Sequence, residues 1–261
     1  MLGAIVGDIV GSRFEYNNIK RKDFELLTED CFVTDDTILT LAVCDALLNP
    51  REDLETAAAR SLRAFSRRYA DKDYGDGFRR WMLLDDSPAY GSFGNGAAMR
   101  VSACSIAAQT LEEAKRMSDA VTAPTHNHPE GMKGAQATAV AGFLAKAGLK
   151  KSDIENYINQ HYYPMGFTLD EIRPTYRYFG SCQGTVPFAL KAFFESNCFE
   201  DAIRNAVSIG GDSDTLAAIT GGVAGIYYGV DSQIAEKALT YLDDFQKDCL
   251  NRFEKAFKLQ S

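Results

Sequence analysis

Two short acidic stretches in this chain combine residue types and spacing suited to divalent-cation chemistry. Thr34-Asp35-Asp36-Thr37 precedes the apolar run from Ile38 to Leu48, and Gly210-Gly211-Asp212-Ser213-Asp214-Thr215 precedes the run from Leu216 to Tyr228. Each puts two carboxylates and at least one hydroxyl in the first turn of a buried helix. Capping the orphan N–H groups of a helix start needs only one such side chain. A second Asp repels the first unless a cation intervenes, so the doubled pattern, occurring twice, points to metal. Carboxylate and hydroxyl oxygens are hard ligands that favour magnesium, manganese or calcium over zinc. If the stretches converge, Asp35, Asp36, Asp212, Asp214 and a threonine can bind two ions that share a carboxylate.

Glu15 is a third acidic contributor. It follows Asp8 by seven residues, about two helical turns, and shares its face if the helix continues that far. Between the acidic stretches lies Gly91-Ser92-Phe93-Gly94-Asn95-Gly96, whose glycines let backbone N–H groups approach a ligand closely ahead of a helix. That composition suits a phosphate, and it equally suits an ordinary turn. Thr125-His126-Asn127-His128-Pro129 reads as a helix entry with proline at the first helical position. Its two histidines lack a third soft ligand and read as hydrogen-bonding groups.

The elements that must position these residues are helical. Asp53-Leu54-Glu55-Thr56 opens an amphipathic stretch to about Tyr69, and Leu111–Val121, Gly134–Ala147, Ser152–His161, Phe188–Glu195 and Phe199–Ser208 read likewise. From Asp231 onward, Ile234, Ala238, Tyr241, Leu242, Phe245, Cys249, Phe253 and Phe257 recur at helical spacing. Alternating strand patterns are hard to find. Gly3, Gly7 and Gly11 make a smooth stripe in the first helix, and Gly221, Gly222, Gly225 and Gly229 punctuate a late apolar one. Each helical glycine costs about 1 kcal/mol relative to alanine, which close backbone approach would explain. The expected fold is all-α: one compact domain over residues 1–261, an orthogonal helical bundle with the Gly-rich helices at its centre.

Composition excludes several function classes. Lys+Arg 28 against Asp+Glu 36 gives a net charge of -8 without a polybasic stripe, so no dedicated nucleic-acid-binding surface is expected. The six cysteines contain no C-x-x-C pair and read as reduced thiols rather than a disulfide or zinc framework. The N-terminus lacks a basic leader, and the uncharged stretch Thr215–Val230 is short for a bilayer. A cytoplasmic protein with no membrane partner is expected.

Taken in order, Gly7-Asp8-x-x-Gly11-x-x-x-Glu15, T-D-D-T at 34–37, S-F-G-N-G at 92–96, T-H at 125–126 and G-G-D-S-D-T at 210–215 resemble the ADP-ribosylglycohydrolases of the dinitrogenase-reductase-activating glycohydrolase type. The resemblance spans nearly the whole chain. It implies an all-α metal-dependent hydrolase with a binuclear magnesium or manganese site, cleaving the α-glycosidic bond between ADP-ribose and its acceptor. It implies Thr34, Asp35, Asp36, Asp212, Asp214 and Thr215 as metal ligands, and Glu15, Asp35, Asp36 and Asp212 as catalytic residues. Ser92, Phe93, Gly94, Asn95 and Gly96 match the family's pyrophosphate and ribose loop, and His126 a substrate-binding histidine. The substrate would be an ADP-ribosylated protein, nucleic acid or small molecule.

Two other readings compete. A catalytically inactive ADP-ribose-binding or structural relative would be expected to lose some of the carboxylates, all of which are present. A helical prenyl-diphosphate synthase requires D-D-x-x-D, and Leu39 and Thr40 occupy the positions where the further Asp would stand.

Overall fold

Glycines at every fourth position remove side chains from one face of a helix, so another backbone can lie directly on it. In the computed structural model, which describes residues 1–49 and 52–257, this is how the first helix is used. The helices are α1 (Leu2–Ser12), α2 (Asp35–Leu47), α3 (Leu54–Arg68), α4 (Asp76–Leu83), α5 (Gly96–Met99), α6 (Ser102–Ala107), α7 (Leu111–Thr122) and α8 (Pro129–Lys146). They continue as α9 (Lys151–His161), α10 (Leu169–Ile172), α11 (Cys182–Phe194), α12 (Phe199–Ser208), α13 (Ser213–Tyr228), α14 (Ser232–Leu239) and α15 (Asp244–Ala256). Among the described residues there is no strand, only an isolated bridge between Gly94 and Ser181.

Helices α1 and α13 form the central pair. A β-carbon on Gly3 would strike the Gly221 carbonyl, one on Gly7 the Ala217 carbonyl, and one on Gly11 the backbone at Ser213 and Asp214. As the number rises along α1 it falls along α13, so the pair is antiparallel. The C-terminal end of α1 therefore lies against the N-terminal end of α13. Every residue from Gly3 to Ser12 is buried, as is α13 from Ser213 to Ala224. Around the pair pack α2, α8, α11 and α12, which carry a large share of the remaining core.

Four sequence expectations shift. Helix α1 stops at Ser12, so Glu15 is carried by the following turn and not by Asp8's helix face. The helix expected over Gly134–Ala147 is longer: α8 begins at Pro129, the entry read from the sequence, where His128 caps it and accepts the Glu130 N–H through Nδ1 at 3.1 Å. Helix α11 starts at Cys182 although Pro187 lies inside it. Proline removes one ladder bond, and burial of Cys182, Val186, Leu190 and Phe193 outweighs that loss. The long C-terminal pattern breaks into two helices, because Asp243 caps α15 in a reciprocal arrangement with Gln246.

Candidate active site

The three acidic segments meet where α1 ends and α13 begins. Asp8, fully buried on α1, accepts bonds from the Thr34 N–H (3.2 Å), the Thr34 hydroxyl (2.6 Å), the Thr37 N–H (3.1 Å) and the Thr37 hydroxyl. A carboxylate holding four donors is a rigid clamp. It fixes the first turn of α2 on α1, with Asp35 and Asp36 projecting from that turn. The Thr34 hydroxyl also accepts the Asp36 N–H at 3.2 Å. Thr34, expected as a ligand, is thus engaged within the clamp and is absent from the cleft lining.

The second segment is set by its glycines. Gly210 and Gly211 have φ of 68° and 82°, the left-handed region that other residues rarely adopt. This bend directs Asp212 and Asp214 toward α2. The Thr215 hydroxyl donates to Asp36 Oδ1 at 3.3 Å, joining the two acidic tips directly. Glu15, Asp212 and Asp214 each offer a carboxylate oxygen within 4.8 Å of the others. Sequence spacing placed Glu15 near Asp8; the structure groups it with α13.

The electrostatics are lopsided. Burial, then repulsion from neighbouring carboxylates, holds Asp35, Asp36 and Asp214 well above the ordinary carboxylate range. Burial raises Asp212 as well, against hydrogen bonds from its neighbours, and pushes Glu15 up to about 7. Among the described residues no salt bridge neutralises any of these five groups. Asp36 Oδ2 and Asp214 Oδ1 are buried without a hydrogen-bond partner among the described residues. Buried carboxylate oxygens are ordinarily paired or bound to a cation. The donor set is all oxygen, and it fits a hard divalent ion.

The glycine loop sits beside this cluster. Asn95 links the two, donating through Nδ2 to Asp212 Oδ2 at 2.7 Å and to Thr185 Oγ1 at 3.2 Å. Four loop N–H groups are engaged within the protein: Gly91 with Asn127 Oδ1 (2.8 Å), Ser92 with the Thr125 carbonyl (3.4 Å), Gly94 with Ser92 Oγ (3.1 Å) and Asn95 with the Gly180 carbonyl (2.9 Å). The cleft has a volume of about 520 Å³ and is lined by Glu15, Asp35, Asp36, Asp212, Asp214 and Thr215 on one side and Ser92, Gly94, Asn95, Gly96 and His126 on the other. That volume lies within the usual range for small-molecule sites. Phe93 does not line the cleft; the residue is 47% exposed and its ring lies 5.2 Å from the His128 ring.

The model of the ADP-ribosylglycohydrolase family matches residues 1–260. The chain belongs to this family.

As a member, it is 24% identical to the ADP-ribosylhydrolase ARH3 of Homo sapiens, over 88% of this chain and 85% of that protein. It is 28% identical to the ADP-ribosyl-[dinitrogen reductase] glycohydrolase of Rhodospirillum rubrum, over 88% and 84%. A solved structure described as an ADP-ribosylglycohydrolase-related protein complex superposes with a TM-score of 0.72, at 21% identity, over 100% of this chain and 97% of that one. This likeness shows the shared all-α fold.

Several residues lining the family member's cleft were missed by the sequence reading. Tyr16, Asp73, Tyr74, Asp76, Tyr90 and Tyr178 all contribute to it. Tyr16 donates to Asp73 Oδ2 at 2.8 Å and so ties the turn carrying Glu15 to the α3–α4 connection. Asp73-Tyr74-Gly75-Asp76-Gly77 carried a usable signal, carboxylates alternating with glycines. Nothing in the spacing around Tyr90 or Tyr178 singles them out.

Proposed function

We propose that the cleft hydrolyses the α-glycosidic bond between ADP-ribose and its acceptor. In this reading Asp35, Asp36, Asp212, Asp214 and Thr215 hold two magnesium or manganese ions. The single observation that supports it best is the pair of buried, unpartnered oxygens, Asp36 Oδ2 and Asp214 Oδ1, on residues of two distant segments joined by Thr215. Bound divalent cations supply Lewis acidity, which lowers the pKa of water and steadies a ribose diol.

The rest of the chemistry falls to the chain's own residues. Cleavage at an anomeric carbon builds oxocarbenium character. Asp35, Asp36 and Asp212 supply negative charge beside that centre, with Asp212 held in place by Asn95. Glu15, whose carboxyl is raised above the ordinary range in the metal-free protein chiefly by burial, is suited to acid or base duty. Ser92, Gly94, Asn95, Gly96 and His126 receive the diphosphate and distal ribose, so that binding energy far from the reacting bond positions it. Thr34 belongs to the clamp under α2.

The relative from Rhodospirillum rubrum is named for a protein acceptor, so we take an ADP-ribosylated protein or small molecule as substrate, encountered in the cytoplasm. The nucleic-acid acceptor is left out. The test is release of free ADP-ribose from protein- and small-molecule-linked substrates, with and without chelator. Chelator-sensitive release is expected. Tight ADP-ribose binding without product would favour an inactive relative, and metal-independent release would overturn the two-ion site.

A further inference from the structure

Behind the glycine loop lies a buried charge that the hydrolytic reading does not use. Arg100 is fully buried, and no carboxylate lies within 4.0 Å of its guanidinium among the described residues. Its Nε and Nη1 have no hydrogen-bond partner there. Only Nη2 is engaged, donating to Thr125 Oγ1 at 2.7 Å and more distantly to the Val121 carbonyl at 3.3 Å. An uncompensated buried guanidinium is costly, and its one short bond leads toward the cleft. Thr125 Oγ1 lies 2.7 Å from His126 Nδ1.

These contacts determine where the protons go. Guanidinium nitrogens only donate, so Thr125 Oγ1 accepts from Arg100 and still carries its own proton. Thr125 is fully buried, and the one acceptor beside that proton among the described residues is His126 Nδ1. The opposite arrangement, with Nδ1–H donating to Thr125, strands a buried hydroxyl proton. Nδ1 is therefore the acceptor, and the imidazole proton resides on Nε2. Burial and the Arg100 charge both hold His126 well below the usual histidine range, which keeps the ring neutral. Nε2 faces the loop: β-carbons built on Gly96 and Gly94 would lie 3.3 and 3.5 Å from it. The loop is joined to the same segment, since Ser92 N–H donates to the Thr125 carbonyl (3.4 Å) and Gly91 N–H to Asn127 Oδ1 (2.8 Å).

We propose that Arg100 is a positioning residue that acts through Thr125 to hold His126 as a fixed Nε2–H donor toward the cleft. The ligand it serves is the diphosphate of ADP-ribose, so this part rests on the hydrolase reading; the tautomer itself does not.

The test is the long-range proton–nitrogen spectrum of the imidazoles in the ligand-free protein, with His126 identified by its loss in His126→Gln. The neutral Nε2–H form is expected in the unsubstituted protein and in Thr125→Ser. Thr125→Val, nearly isosteric with threonine, should move His126 toward the Nδ1–H form or a mixture, as should Arg100→Met if it folds. ADP-ribose should bind about ten-fold more weakly to Thr125→Val, the effect of one hydrogen bond to a charged group, and normally to Thr125→Ser. An Nδ1–H form in the unsubstituted protein, or an unchanged tautomer in folded Thr125→Val, overturns the relay even if affinity falls. An intact Nε2–H pattern in a protein that fails to bind ADP-ribose sustains the relay and counts against the hydrolase reading alone.

Discussion

Asn18 holds Gly211 by both of its backbone groups: the Gly211 N–H donates to Asn18 Oδ1 at 2.7 Å, and Asn18 Nδ2 donates to the Gly211 carbonyl at 2.8 Å. The same amide nitrogen donates to the Glu15 carbonyl at 2.9 Å. One side chain thus sets the distance between Glu15 and the turn that leads into Asp212. Lys20 reinforces the junction by donating to the carbonyls of Tyr176 (2.9 Å) and Ile209.

Removing this tie should separate positioning from ligation. Asn18→Ala loses the bridging bonds at a cost of about 1–3 kcal/mol. Activity should fall more than global stability does, because the tie sets Glu15 against the turn leading into Asp212, while the glycine-mediated packing of α1 on α13 is untouched. Steady-state kinetics beside denaturant unfolding would check it; unchanged kinetics would show that the turn holds itself.

The stripe on α1 gives a stability prediction. In Gly7→Ala the new methyl meets the Ala217 carbonyl, which is backbone and cannot rotate away. Overpacking of this kind costs roughly 1–3 kcal/mol or more. It should lower Tm and also perturb the cleft, because α1 and α13 would be forced apart. Gly166→Ala, with open space around its β-carbon, is the control and should stay within about 0.5 kcal/mol.

The carboxylates predict metal-linked stability. Divalent magnesium or manganese should raise Tm, by the equivalent of about 2.7 kcal/mol at a hundred-fold excess over Kd. Asp36→Asn and Asp214→Asn should abolish that gain while leaving the metal-free protein as stable as before or more so, since each removes a buried repulsive charge. A metal-free variant much less stable than its parent would mean that these groups hold the fold together.

Asp35→Ala and Asp212→Ala should each eliminate measurable ADP-ribose release while circular dichroism retains the helical signal. Glu15→Gln should retain metal-induced stabilisation in part and lose about 10²–10⁴-fold in turnover if its proton is used. Full activity in either Asp variant would remove the basis for the hydrolytic reading.

The pH dependence of the metal-free protein has a definite sign. Asp35, Asp36, Asp212 and Asp214 have native pKa values above the ordinary 3.8, and Glu15 is at about 7 against 4.5, chiefly through burial. The native state therefore binds more protons between those limits, and this stability is lost as pH rises through the native values. His126 acts oppositely: its native pKa lies below 6.5, so its contribution is lost as pH falls below that value. With chelator present, denaturant unfolding should show greater stability at pH 6.5 than at pH 8. His126→Gln should extend that rise to lower pH. A fall in stability between pH 8 and 6.5 contradicts the assignment.

Much of this site was legible before any fold was known. Paired carboxylates at two helix starts, a glycine loop between them and glycines spaced every four residues are local facts, and local chemistry explains them. They determined the class of the fold, the identity of the acidic cluster and the family. The sequence alone could not determine which groups share a side of the cleft. Glu15 joins Asp214 because α1 and α13 pack antiparallel through their glycines, and the Thr34 hydroxyl donates to Asp8, a helix away. The relay from Arg100 to His126 was likewise hidden, since it depends on which buried atoms lack other partners. Partnership across the chain is a property of packing, where each donor answers to whatever the fold brings within about 3 Å, and spacing along the sequence carries no record of it.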